Sequence, residues 1–233
     1  MPVTEFALLH LTTTFPPLPD PVRTSLAAAM RLQDSWHATA FPSLPSSAAA
    51  RASVWFCQVE DPSWLMTTAK WDSVAAHWDW IRSEENQAVM GQLGEAKSII
   101  PQDTVLFHVG GEIFSGTSNA ALLESPVISV ERMFIPRADR GSFEAKFLEV
   151  NGILEGYAGP DLVRFGWRED IDESLEEEEF VLVCGWESIE RHVAFAESQG
   201  CARYGEIRNL LARVDVKHYK RFSLEERLVQ CKT

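Results

Sequence analysis

The segment Trp71-Asp72-Ser73-Val74-Ala75-Ala76-His77 returns later in the chain as Trp186-Glu187-Ser188-Ile189-Glu190-Arg191-His192, and Ser83 returns as Ser198. Trp71/Trp186, Ser73/Ser188, His77/His192 and Ser83/Ser198 are all 115 residues apart. In a chain with 8 Trp and 6 His, this agreement at one offset marks an internal duplication. Solenoid repeats run to roughly 20–50 residues, so a period of this length instead predicts two copies of a whole small domain. The 233 residues divide accordingly: a first repeat over 1–112, a linker over 113–126, a second repeat over 127–224 and a tail over 225–233.

Local patterns order the elements within each copy. In the first, the apolar run from Glu5 to Phe15 reads as a strand stopped by Pro16-Pro17, and Asp20-Pro21 reads as an N-cap with Pro opening a helix to about Ala40. Ser53 to Val59 and Trp64 to Trp71 read as a hairpin. Ser73 is placed to cap a helix running from Val74 to about Leu93, and Asp103 to Val109 reads as the last strand. The second copy repeats the order over Val127–Ile135, Ser142–Tyr157, Leu162–Arg168, Phe180–Trp186, Ile189–Ala212 and Val214–Phe222, with His218 in the place of His108. The predicted class is α+β: two tandem ferredoxin-like βαββαβ repeats.

Charge and cysteine usage narrow the function classes. A net charge of −13 disfavours nucleic acid and anionic membrane surfaces, which need clustered Lys and Arg. No apolar run approaches the roughly 20 residues of a membrane span. Cys57, Cys184, Cys201 and Cys231 lack CxxC spacing, and no basic segment precedes an apolar run at the N-terminus, so a reducing cytoplasmic setting is expected. The acidic run Glu169–Glu173 with Glu176–Glu179 reads as a solvated loop. Phosphate loops, nucleophile elbows and zinc spacings are absent from the sequence, so neither a cofactor nor a metal is expected.

Trp-acid-Ser leading from a third strand into a helix, within a βαββαβ unit of this size, resembles the dimeric α/β-barrel superfamily, which includes the antibiotic-biosynthesis monooxygenase family and the stress-responsive barrel proteins. The resemblance covers nearly the whole chain and implies a dimer fused into one polypeptide, its two repeats packing as an intramolecular dimeric α/β barrel, with further homodimerisation open. Locally, Trp71-Asp72-Ser73 followed by Asp79-Trp80-Ile81-Arg82-Ser83 is similar to the haem-degrading branch of that family. That likeness places a pocket Trp at Trp80, the catalytic first-strand position at His10, approximately matched by Glu131 in the second copy, and the iron-ligand position at Met90. Phe195 takes the place of Trp80 in the second copy. Measured against cofactor-free polyketide cyclases, the catalytic His falls on Asn86 and Cys201.

The candidate residues follow. His77 and His192 open the repeated helices and are read as structural. His10 is the leading acid/base candidate, since an imidazole in a pocket can exchange protons with a phenol or enol. Glu131 on an apolar strand would either pair with Arg132 or Arg164, or rise in pKa and act as a base. Trp55, Trp64, Trp80, Arg164 and Phe195 are the expected substrate contacts, suited to a flat apolar molecule. The expected function is cofactor-independent cyclisation, isomerisation or elimination on a small aromatic or polyketide-like substrate, in one repeat only. A cofactor-free monooxygenase and a non-catalytic binding module are the alternatives.

Overall fold

The chain is described from a computed structural model over residues 1–14, 18–44, 46–95, 98–114, 120–171 and 174–224. It separates into two compact units, Met1–Ser115 with Lys220–Thr233, and Gly116–Tyr219. The expected tail over 225–233, residues 115–119 of the expected linker and the expected strand stop over 15–17 lie outside the described residues.

In the first unit β1 (Val3–His10), α1 (Asp20–Ala40), β2 (Val54–Gln58), β3 (Trp64–Trp71), α2 (Val74–Arg82), α3 (Glu84–Glu95) and β4 (Val105–Gly110) follow in that order. The strands lie side by side as β4-β1-β3-β2, with every neighbouring pair antiparallel. Strand alternation turns Val3, Glu5, Ala7 and Leu9 to one face, together with their partners Trp71, Ala69, Thr67 and Leu65. That face carries the helices: Leu9, Leu65, Trp55 and Cys57 share a core with Leu18, Leu26 and Leu93. Because the other face is buried as well, with Phe6 stacked on Phe107 at 5.1 Å, β1 reads as a continuous apolar run.

Two helix starts differ from expectation. α1 begins at Asp20 itself, which sits in the first turn beside the positive end of the helix dipole, while Pro19 occupies the cap. The single helix expected from Val74 to Leu93 is two. Ser83 is extended (φ −66°, ψ 151°) and its hydroxyl accepts from the Asn86 backbone N–H at 3.1 Å, so α2 stops and α3 starts there. Ser73 caps α2 in the same manner, accepting from Ala76 N–H at 3.1 Å. The second repeat copies both devices, with Ser188 accepting from Arg191 and Ser198 from Cys201. The repeated Ser83/Ser198 is therefore a second cap. Ser83→Ala is expected to cost about 1 kcal/mol in urea unfolding. An unchanged midpoint would show the break to be set by the surrounding packing instead.

The second unit contains α4 (Ala120–Glu124), β5 (Val127–Pro136), α5 (Arg140–Ala158), β6 (Val163–Trp167), β7 (Glu177–Trp186), α6 (Ile189–Ala196), α7 (Gln199–Tyr204) and β8 (Arg213–Phe222, of which residues through Tyr219 belong here). α4, with Leu122 fully buried, lies within the stretch expected to be linker. The strands run β8-β5-β7-β6, all antiparallel. Val127 pairs with Trp186 as Val3 pairs with Trp71, which fixes the correspondence between copies: Glu5 with Ser129, Ala7 with Glu131, Leu9 with Met133 and His10 with Phe134. The expected match of His10 with Glu131 is thus three residues out, since the loops between strands differ in length.

Aromatic rings fill the second unit's core. Phe147 packs on Phe165 and on Phe180 at 4.8 Å each, and Phe143 lies 5.1 Å from Phe180. The acidic run is only partly a solvated loop. β7 starts at Glu177, and Glu179 is 2% exposed, held by Arg132 at 2.5 Å and Arg168 at 3.0 Å. Arg168 also bonds Asp170 at 2.7 Å, and Arg140 bonds Glu178 at 2.8 Å. The cations that pair these carboxylates mostly come from elements distant in sequence. Among the described residues, no helix is long and apolar enough to cross a membrane.

Candidate functional site

Where the helix face of the first sheet meets α1, α2 and α3 there is a cavity of about 140 Å³. Its floor is made of the small side chains Ala7, Thr67 and Ala69 with Glu5, which strand alternation brings onto one surface. Trp55, Trp80, Met30 and Met90 form apolar walls. Polar lining is sparse. Besides Glu5 and His77 it includes Ser53, Asn86 and Thr104, and the hydroxyls of Ser53 and Thr104 are buried with no hydrogen-bond partner.

Glu5 is the chemical centre of this space. Trp71 Nε1 donates to Glu5 Oε2 at 2.6 Å, and His77 Nε2 lies 3.4 Å from the same oxygen. His77 Nδ1 is 2.6 Å from His108 Nε2, so one imidazole donates and the other accepts, and the two cannot both be fully protonated. Trp71 stacks on His77 at 4.5 Å, fixing the ring that faces the carboxyl. Arg51, 2% exposed, sits over the Trp71 ring at 5.5 Å and is hydrogen-bonded to Asp34 and Gln33. Burial pushes the Glu5 carboxyl up to about 7, against the lowering effects of the Trp71 hydrogen bond and the charges of His108 and Arg51. At neutral pH the group is poised to give or to take a proton.

The second repeat keeps part of this arrangement. Trp186 stacks on His192 at 4.5 Å, and His192 Nδ1 is 2.8 Å from His218 Nε2. At the Glu5 position stands Ser129, whose hydroxyl accepts from Trp186 Nε1 at 2.9 Å. The carboxylate is displaced by one pleat to Glu131, 3.7 Å from His192 Nε2, and burial raises it to about 7 while Arg208 lowers it in part. Bulk replaces the open floor. Phe165 stands where Trp55 does and packs on Phe147. Phe195, in the place of Trp80, packs on Tyr157 and Tyr204 at 5.1 and 5.4 Å. The duplicated Trp-His-His unit is thus joined to an open cavity in the first copy and to a filled aromatic layer in the second.

Trp55 and Trp80, expected as substrate contacts, line the cavity. His10 and Trp64 lie on the opposite face of the sheet, stacked on each other at 4.5 Å, with His10 Nδ1 2.6 Å from Asp103. Arg164 likewise points to the face away from α5 and donates to the carbonyls of Pro160 and Val163. Phe195 is buried in the second core at 5% exposure. Glu5 was not among the sequence-derived candidates, although a carboxylate alternating with Val3, Ala7 and Leu9 on an apolar strand is visible in the sequence. His77 combines the structural stacking expected of it with a place in the Glu5 chain.

His10→Ala is expected to leave ligand binding in the cavity unchanged and to cost at most about 1 kcal/mol, since the His10–Asp103 contact is partly solvated. Loss of binding in calorimetric titration would place His10 in the site. The likeness to the haem-degrading branch does not extend to its iron ligand: Met90 stands at that position, among the apolar walls of the cavity and against the Leu9–Leu26–Leu93 core.

No family model and no curated protein matches this sequence. Solved structures do match the fold. An anthrone oxidase-like protein aligns with TM-score 0.60 and 14% identity, over 97% of this chain and 95% of its own. Chlorite dismutase from Candidatus Nitrospira defluvii aligns with TM-score 0.56 and 13% identity, over 97% and 93%. A candidate monooxygenase from Fusobacterium nucleatum aligns with TM-score 0.54 and 5% identity, over 95% and 93%. At these identities the likeness is one of fold, the tandem ferredoxin-like α/β-barrel class.

Proposed function

We propose that the chain is an enzyme that moves a proton on a small ring compound held in the first repeat's cavity, with Glu5 as the general acid and base. The observation that carries this reading is a carboxyl poised near neutrality, opening onto an apolar cavity and backed by His77 and His108. Ionised Glu5 takes a proton from the bound molecule, leaving an enolate or phenolate. Trp71 N–H stays on the carboxyl throughout and holds its orientation. Protonated Glu5 then returns the proton to a second carbon in an isomerisation, to the alkoxide formed on ring closure in a cyclisation, or to the departing oxygen as its bond to carbon breaks in an elimination. Trp55 and Trp80 hold the ring and keep water from the reacting carbon. Positioned proton transfer of this kind contributes about 10²–10⁴-fold. His10, Trp64, Arg164 and Phe195 serve structure in this reading, and Glu131 is the displaced counterpart of the acid.

A second reading is favoured by the names of two fold neighbours, the anthrone oxidase-like protein and the candidate monooxygenase. There the same deprotonation makes an electron-rich phenolate that itself reacts with oxygen. The test is proton NMR of one-ring phenols and enolisable ketones with the full-length protein in D₂O, under argon and in air. Deuterium appearing on carbon under argon supports proton transfer, and change only in air supports the oxygen-dependent reaction. Binding with neither change would make the protein a carrier.

A further inference from the structure

We propose that the first repeat's cavity takes a single six-membered ring bearing oxygen at opposite ends, one oxygen at Glu5 and the other at the Ser53 hydroxyl; this rests on the proton-transfer reading of the same site. Size sets the ring count. A space of about 140 Å³ matches the engineered protein cavities of roughly 150 Å³ that bind benzene, so it seats one ring, and a second or third fused ring would have to extend outside it. The walls around it are well-packed core groups: Trp80 is 4% and Leu93 2% exposed, and Trp55 Nε1 donates to Met30 Sδ. Close-packed walls of this kind resist expansion.

Polarity sets the substituents. Ser53 is 8% exposed, and its hydroxyl is buried without a partner. A buried, unsatisfied hydroxyl costs free energy that a ligand oxygen recovers on binding. Ser53 immediately precedes β2 and Glu5 lies on β1, with β3 between them, so their backbones are two strand spacings apart, roughly 10 Å. Both side chains point onto the same face, over the small floor of Ala69. A ring lying on that floor meets the carboxyl with one edge and the hydroxyl with the opposite edge.

The experiment is isothermal titration calorimetry of the full-length protein with hydroquinone under argon, with p-cresol, in which a methyl replaces one hydroxyl, and with 2-naphthol and 2-hydroxyanthracene. Hydroquinone is expected to bind about 10-fold more tightly than p-cresol, the worth of one hydrogen bond to a buried group. 2-Naphthol should bind at least about 10-fold more weakly than p-cresol, and 2-hydroxyanthracene should show no saturable binding. Ser53→Ala should reduce hydroquinone to the p-cresol level while leaving p-cresol unchanged, and Ser53→Cys, which keeps the volume, should act in the same direction. Three results would overturn the proposal: three-ring binding as tight as one-ring binding, a hydroquinone preference that survives both substitutions, or no binding of any one-ring probe. Glu5→Gln separates the two readings. If it exchanges deuterium like the parent, the proton-transfer reading fails while the ring-size ranking still stands or falls by calorimetry.

Discussion

Glu5→Gln is expected to lower carbon-bound deuterium exchange by about 10²–10⁴-fold while leaving the affinity for a one-ring phenol within about threefold. The substitution preserves shape and lets Trp71 N–H keep an oxygen acceptor at 2.6 Å, so the cavity should survive it. What it removes is, among the described residues, the only carboxyl lining the cavity. The parent rate should rise with pH through about 7, as Glu5 ionises and becomes a base, and then level off. Retained exchange in Glu5→Gln, or a rate that has already levelled off near pH 5, would remove Glu5 from the chemistry. His108 acts on Glu5 only through His77, which lines the cavity beside the carboxyl.

Stability is expected to carry the second large effect, with a sign opposite to ordinary acid denaturation. Glu5 and Glu131 are both raised from 4.5 to about 7, chiefly by burial. Between those values the native state keeps a proton that the unfolded chain has released. Stability from these two groups is therefore full below about 4.5 and is lost as pH rises to about 7, at up to about 1.4 kcal/mol per pH unit for each carboxyl. Glu5→Gln and Glu131→Gln should each raise stability at pH 8 relative to pH 5, by about 2–3 kcal/mol compared with the parent. Urea unfolding of parent and variants from pH 5 to pH 8 measures the difference directly and cancels the other titrating groups. Parallel profiles in parent and variants would show both carboxyls to ionise in the usual range.

The duplication was legible because its markers serve structure. Trp71 and Trp186 stack on His77 and His192, and Ser73 and Ser188 cap helices, so one local geometry requires the same residues twice. The break at Ser83 and Ser198 was visible only as a repeated serine, because helical periodicity continues across it while a single hydroxyl redirects the backbone. The site was harder to read. Cross-strand register decides that Glu5, Ala69 and His108 stand in one row, and register depends on loop lengths that differ between copies. His10 drew attention as a titratable group on the first strand, but a period of two residues puts it on the other face from Glu5. Whether a repeat holds a cavity depends on volume: Ala7 and Thr67 in one copy correspond to Glu131 and Leu182 in the other.

The central claim, that chemistry belongs to the first repeat and centres on Glu5, is tested most directly by a crystal structure of the protein with hydroquinone bound. The account predicts a ring between Trp55 and Trp80 with one oxygen at hydrogen-bond distance from Glu5. A ring bound beside Glu131 in the second repeat, or against His10 and Trp64, with the first cavity empty, would contradict it.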